Sequence, residues 1–181
     1  QATVTINGDE YAILADGTVN VATSTLAAGD YTVIASIPEN AKYLPNSSTV
    51  KFSIIKLPSS VNITVGDSYI YGSEFNITVE NNTAVNVTIN GKAVKVNADG
   101  TLDIDSTTMA ATHYVVIATI YENAKYYGNV STKEFNITKL ASSVNVTIEP
   151  NATHVYGDTF VIKVENNTRA TVTINGDEYA I

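Results

Sequence analysis

Asparagine followed two residues later by serine or threonine recurs along this chain, at Asn46, Asn62, Asn76, Asn81, Asn86, Asn129, Asn136, Asn145, Asn151 and Asn166. Each is an acceptor pattern for an N-linked glycan, the sugar being carried on the side-chain amide of a surface asparagine. Several of these stretches, such as Asn62-Ile63-Thr64 and Asn136-Ile137-Thr138, also read as strands with polar outer positions. Asn is a poor strand residue, however, and Thr or Ser would serve the same alternation better. The alternation turns Asn62, Asn76, Asn86, Asn136 and Asn145 outward, where a glycan can attach. N-linked glycans are therefore an expected partner, and they would also shield exposed sheet edges.

Other chemistry is poorly supplied. Asn97, Asp99, Asp103 and Asp105 lie close together, but a calcium loop needs alternating oxygen ligands and a closing Glu, and none closes this one. A hairpin turn followed by solvent-facing aspartates accounts for the same residues. His113 and His154 have no counterparts in the repeated copies described below, and no Ser or Cys context suggests an activated nucleophile. Asp9 and Glu10 sit beside a surface turn, as solvated carboxylates do. A Lys–Asn isopeptide bond would need a lysine buried in an apolar core, whereas Lys42 and Lys125 fall at turns. No catalytic residue, metal site or cofactor is expected.

Composition narrows the class further. The 181 residues are 44% hydrophobic, enough for a core, with no Cys, no Trp and two His. The net charge of −8 argues against nucleic acid, which needs a basic patch. No apolar run approaches the ~20 residues of a membrane helix, and no signal peptide is seen, so an export signal would lie outside these residues. Abundant Asn, Thr, Val and Tyr favour strands over helices.

The elements that must carry the asparagines are repeated. Residues 2–13 and 170–181 are the same twelve letters, ATVTINGDEYAI. "ENAKY" recurs at Glu39 and Glu122, and "KLPSSVN" from Lys56 returns as "KLASSVN" from Lys139, both at an offset of 83. "YGSEF" from Tyr71 returns as "YGDTF" from Tyr156 at an offset of 85. The repeating unit is thus about 84 residues long. Boundaries at the Lys-Leu segments give the C-terminal part of one unit in residues 1–56, a complete unit in 57–140 and the N-terminal part of a further unit in 141–181. The parent polypeptide is expected to continue past Ile181 with sequence resembling LADGTVNV, because the second copy of the twelve residues would then open the same strand order.

Within residues 57–140, alternation marks strands near 61–65, 75–80, 85–90, 92–96, 101–105, 113–121 and 133–139, with Asn90-Gly91 and "ADGT" as turns. Phe75, Ile77, Val87, Tyr114, Val116, Ala118, Phe135 and Ile137 are the predicted core. Seven short strands without helical periodicity predict an all-β fold of tandem immunoglobulin-like β-sandwich repeats. Tyr31 and Tyr114 stand two residues before Val33 and Val116, where antibody domains place a tyrosine before a core cysteine. Leu57 and Leu140 are expected to anchor the linkers in adjacent cores.

Residues 27–56 resemble the closing half of bacterial Ig-like repeats from large prokaryotic surface proteins. Gly29, Tyr31, Val33, Ala35, Lys42-Tyr43 and Lys56 carry the likeness, as do Tyr114, Val116, Ala118, Lys125-Tyr126 and Lys139, with Thr112 in place of the glycine. The Asn- and Thr-rich composition also resembles adhesin-like surface proteins of methanogenic archaea. The resemblance implies a structural stalk or spacer at the cell surface or in the extracellular space, with neighbouring repeats of the same protein as partners. Two alternatives share the same residues: a filament built by strand complementation between repeats, and a carbohydrate-binding module using exposed tyrosines.

Overall fold

The computed structural model describes residues 1–150 and 152–181, and the chain is all-β. Helix among these residues is confined to two 3-10 turns, Thr23–Thr25 and Ser106–Thr108. The first four strands are β1 (Thr3–Ile6), β2 (Asp9–Tyr11), β3 (Gly29–Ile37) and β4 (Asn46–Ile54). They form one antiparallel sheet in the order β2-β1-β3-β4. The turn between β1 and β2 is Asn7-Gly8, with φ of 48° and 96°. Both residues are left-handed, as a two-residue hairpin matched to strand twist requires.

The middle of the chain supplies β5 (Val61–Thr64), β6 (Ser68–Ile70), β7 (Thr78–Asn81), β8 (Asn86–Ile89), β9 (Lys92–Val94), β10 (His113–Ile120) and β11 (Asn129–Thr138). Five of them form a sheet in the order β6-β11-β10-β8-β9, and β5 pairs with β7 in a second sheet. That second sheet is extended where the Val79 amide donates to the Gly100 carbonyl and the Leu102 amide donates to the Ile77 carbonyl. Both sheets turn alternate residues inward onto one apolar core. Ile63, Ile77 and Val79 come from one side, and Val87, Val116, Ala118, Phe135 and Ile137 from the other. Of the eight core positions read from the sequence, six are buried, while Phe75 and Tyr114 are partly buried against the same core. The Phe135 ring organises it: Tyr114 stacks on it at 5.1 Å, and Phe75 and Tyr69 meet its edge at 5.5 and 6.0 Å.

Three expectations need correcting here. Residues 101–105 do not form a full strand; they make isolated bridges, Thr78 to Thr101 and Val96 to Leu102. Asp105 then diverts the chain, because its carboxylate accepts from the Thr107 amide and caps the 3-10 turn. A strand that the alternation does not mark, β6, instead pairs parallel to β11 at the edge of the five-stranded sheet. Its Tyr69 stacks on Phe75 at 3.8 Å, while the Tyr69 hydroxyl accepts from the Gly66 amide. Finally, Leu57 and Leu140 anchor nothing with their side chains, being 54% and 64% exposed. Leu57 is held by its backbone instead, donating to the Lys125 carbonyl and accepting from the Tyr127 amide.

The last strands are β12 (Val144–Glu149), β13 (Val161–Asn166), β14 (Val172–Ile174) and β15 (Asp177–Tyr179). They form two separate antiparallel pairs, β12-β13 and β14-β15. The β14-β15 hairpin repeats the left-handed Asn175-Gly176 turn and the register of β1-β2, with Ile174 opposite Asp177 as Ile6 is opposite Asp9.

Candidate functional site

The acceptor asparagines sit on outward positions because each shares a strand or its approach with inward apolar neighbours. Asn62 flanks buried Ile63, Asn76 flanks buried Ile77, Asn86 flanks buried Val87 and Asn136 lies between buried Phe135 and Ile137. Asn46, Asn62, Asn76, Asn81, Asn86, Asn129, Asn136, Asn145 and Asn166 are all exposed. Asn151 lies outside the described residues.

Exposure alone does not make these positions equivalent, because a glycan is carried on Nδ2 and some of these nitrogens already donate. Asn81 Nδ2 donates to the Thr83 carbonyl at 2.8 Å, and Asn166 Nδ2 donates to the Thr168 carbonyl at 2.5 Å. Asn129 Nδ2 donates to the Ser59 carbonyl at 2.9 Å, tying β11 to the start of the unit. By contrast, Asn46 and Asn136 engage only their oxygens, with the Ser47 amide and the His113 ring. Asn62, Asn76, Asn86 and Asn145 make no side-chain hydrogen bond among the described residues. Asn62 and Asn145 also lie on strands paired on one side only, β5 and β12, and Asn76 precedes β7.

Other asparagines, outside the acceptor pattern, do structural work, and of these the sequence marks only Asn90, as a turn residue. Asn90 accepts from the Val115 amide at 2.8 Å and donates to the His113 carbonyl at 3.2 Å. Asn7 makes the matching pair with the Thr32 amide and the Asp30 carbonyl. Asn82 accepts from the Ser60 amide and donates to the Pro58 carbonyl, and Asn167 repeats this with Ser143 and Ala141. The signal was present in the exact recurrence of Asn at matched offsets, where a turn alone would accept Asp or Gly.

The tyrosines preceding Val33 and Val116 behave alike. Tyr31 hydroxyl donates to the Ala27 carbonyl at 2.6 Å, and Tyr114 hydroxyl donates to the Ala110 carbonyl at 2.9 Å. Each bond ties a strand to the backbone four residues upstream.

The acidic cluster is spent locally. Asp99 accepts from both the hydroxyl and the amide of Thr101, and Asp16 does the same with Thr18. Those hydroxyls, and secondarily the amides, hold both carboxyls below the usual carboxylate range. Asp105 is occupied with Thr107. Among the described residues no three His, Cys, Asp or Glu side chains converge as metal ligands would. His113 contacts Asn136 and Glu134 on the surface, and the His154 ring stacks on Phe160. Lys42 and Lys125 are exposed at turns whose amides bond to Asn40 and Asn123. No helix among the described residues is long and apolar enough to cross a membrane.

No protein-family model matches the chain. No curated protein matches it either.

Proposed function

We propose that this chain is a segment of a tandem array of immunoglobulin-like sandwiches, serving as a non-enzymatic spacer in an adhesin-like protein at the cell surface or in the extracellular space. The observation that carries the reading is the repetition of the same scaffolding bonds at matched positions. The tyrosine bonds of Tyr31 and Tyr114 resemble the tyrosine corner of immunoglobulin-type sandwiches. The Asn7 and Asn90 bonds brace the same hairpin against the same strand. A chain that repeats its supports and varies its few histidines is suited to setting length and stiffness.

The junction of repeats supports the same reading. Lys56 ends the first segment and pairs with Glu122 in the loop before β11. Ser59 donates to the Tyr127 carbonyl at 2.6 Å beside it. The linker is thereby fastened to the following unit, which restricts bending. Neighbouring repeats of the same protein are thus its principal partners. Exposed acceptor asparagines with unengaged nitrogens, Asn62, Asn76 and Asn145 foremost, would carry N-linked glycans on the outer faces.

Protease treatment of intact source cells, followed by peptide mass analysis, tests this. The expected result is release of peptides from this chain without lysis, with glycan mass at Asn62, Asn76 and Asn145 above that at Asn81, Asn129 and Asn166. Peptides that appear only after lysis would overturn the surface assignment, and unmodified masses throughout would remove the glycan assignment.

A further inference from the structure

We propose that the outward face of the five-stranded sheet is a docking surface for the chain's own N-linked glycans, carried by Asn86 and Asn136, whose sugar rings lie over Val115, Ile117 and Val130. The proposal rests on the glycan reading above and deepens it. Strand register puts these residues on one side of the sheet. Asn86 is opposite Thr119, which is opposite Val130; Ile117 lies between Thr88 and Thr132; Val115 is opposite Glu134, and Asn136 is opposite His113. The core, with β5 against β10 and β11, is on the other side. Outward positions of β5 and β7 are polar, namely Asn62, Thr64, Thr78 and Glu80. The face across β10 and β11 departs from that pattern, and Val130 on it is 58% exposed. Apolar residues grouped on a sheet face invite association unless something covers them. The preceding segment does not cover them, since its contacts run through Lys56 and Leu57 to the loop of Glu122, Lys125 and Tyr127.

The matched face of the first copy shows which residues change together. Its strands β1, β3 and β4 keep the same register: Thr3 is opposite Ser36, Ser36 opposite Ser47, Thr32 opposite Lys51 and Asp30 opposite Ser53. Thr3 therefore stands in the place of Asn86, and Ser53 in the place of Asn136. In the same copy Thr32 replaces Val115 and Ser47 replaces Val130, while Ile34 alone matches Ile117. The copy without the two acceptor asparagines is thus also the copy without two of the three apolar residues between them. This joint exchange is what names the occupant.

Geometry and chemistry fit that occupant. Asn86 makes no side-chain hydrogen bond among the described residues. The Asn136 oxygen meets His113 Nδ1 at 3.0 Å, which leaves Nδ2 unengaged. His113 and Thr119, the neighbours of the two asparagines, stand near opposite ends of β10, roughly 20 Å apart at the usual rise of a strand. One glycan therefore enters from each end, with Val115 and Ile117 between them. A pyranose ring carries C–H groups on its face and hydroxyls around its edge. The ring face removes apolar side chains from water, and the hydroxyls are left beside Thr88, Thr132 and Glu134.

Peptide mass analysis of the chain from its source first reads the sugar at each acceptor. Hydroxyl-radical labelling, also read by peptide mass, then compares that chain with the Asn86→Gln, Asn136→Gln double variant made in the same cells. Both asparagines are exposed, so the exchange leaves the core intact. Labelling of Val115, Ile117 and Val130 is expected to rise several-fold in the variant. Labelling of Ile34, at the matched place with no acceptor beside it, is expected to stay the same in both. Removing sugar from the other sheet with Asn62→Gln and Asn76→Gln should leave Val115, Ile117 and Val130 as protected as before. Equal labelling of Val130 with and without its neighbouring glycans would overturn the docking and leave the glycan reading standing. Sugar at Asn62, Asn76 and Asn145 but none at Asn86 or Asn136 would do the same. Unmodified mass at all five would remove both.

Discussion

Phe135 and Phe52 occupy matched places in matched strands, yet they live in different surroundings. Phe135 is buried among Tyr69, Phe75 and Tyr114, while Phe52 is half-buried with only Tyr31 stacked on it at 5.2 Å. Their local structures agree: each tyrosine faces its phenylalanine across the same strand pair, Tyr31 to Phe52 and Tyr114 to Phe135. What differs is whether a second sheet lies over them. Strand pairing and turn geometry are thus set locally, by Asn-Gly and Asp-Thr turns, whereas burial is set by the number of strands brought together. The hydrophobic contribution, proportional to area removed from water, therefore concentrates in residues 57–140.

The largest effect that can break this comparison is a cavity. Phe135→Ala should destabilise the cooperative unfolding of the chain by roughly 3–5 kcal/mol. Phe52→Ala should change the same transition by much less, since its removal opens no enclosed space. Chemical denaturation of the two variants side by side checks this, and equal losses would mean that the two regions share one core.

A smaller effect is expected at the glycines of the matched "ADGT" turns. Gly17 and Gly100 have φ of 84° and 85°, so alanine is strained at both, by about 1–2 kcal/mol. At Gly100 a Cβ would also sit 2.9 Å from the Val79 carbonyl oxygen, whereas at Gly17 it meets nothing. Gly100→Ala should therefore lower Tm more than Gly17→Ala, because only the former pushes against the strand carrying Val79.

Smaller again is the tyrosine bond. Tyr114→Phe removes one hydrogen bond to the Ala110 carbonyl and should cost about 1 kcal/mol. Tyr31→Phe removes the same bond in the open sheet, and its effect should appear as faster amide exchange in residues 27–31 and not in the main transition.

The smallest difference concerns acid. Asp16 and Asp99 both have folded pKa values depressed by their threonine partners. A depressed carboxyl contributes stability above its unfolded pKa of about 3.9 and loses it as pH falls through the folded value. Acidification below that range should loosen both turns alike, and Asp99→Asn should remove this dependence at one turn only. Backbone chemical shifts of Thr18 and Thr101 followed through the titration would report it.

Much of this was legible in the sequence, for physical reasons. A buried face imposes strict alternation, so Ile77, Val87, Val116, Ala118, Phe135 and Ile137 announced themselves as core. The left-handed turn at Asn90-Gly91 follows from residue type alone. What was hidden depends on three-dimensional neighbours. Tyr69 enters the core from a three-residue strand too short to show a period. Thr101–Asp105 alternates well enough to be a strand, but the Asp105 carboxylate competes for the backbone and turns it. The outward placement of the acceptor asparagines could be read, whereas the engagement of Asn81, Asn129 and Asn166 through Nδ2 could not, because their acceptors are set by loop geometry and, for Asn129, by a residue at the far end of the unit.

The central claim is that matched sequences differ in protection because only one of them is covered by a second sheet. Residue-resolved hydrogen exchange on the dilute full chain measures this directly. The account predicts that the amides of Val116, Ala118 and Ile137 exchange only on global opening, while those of Val33, Ala35 and Ile54 exchange orders of magnitude faster despite the same strand register. Equal protection at the two sets of amides would contradict it.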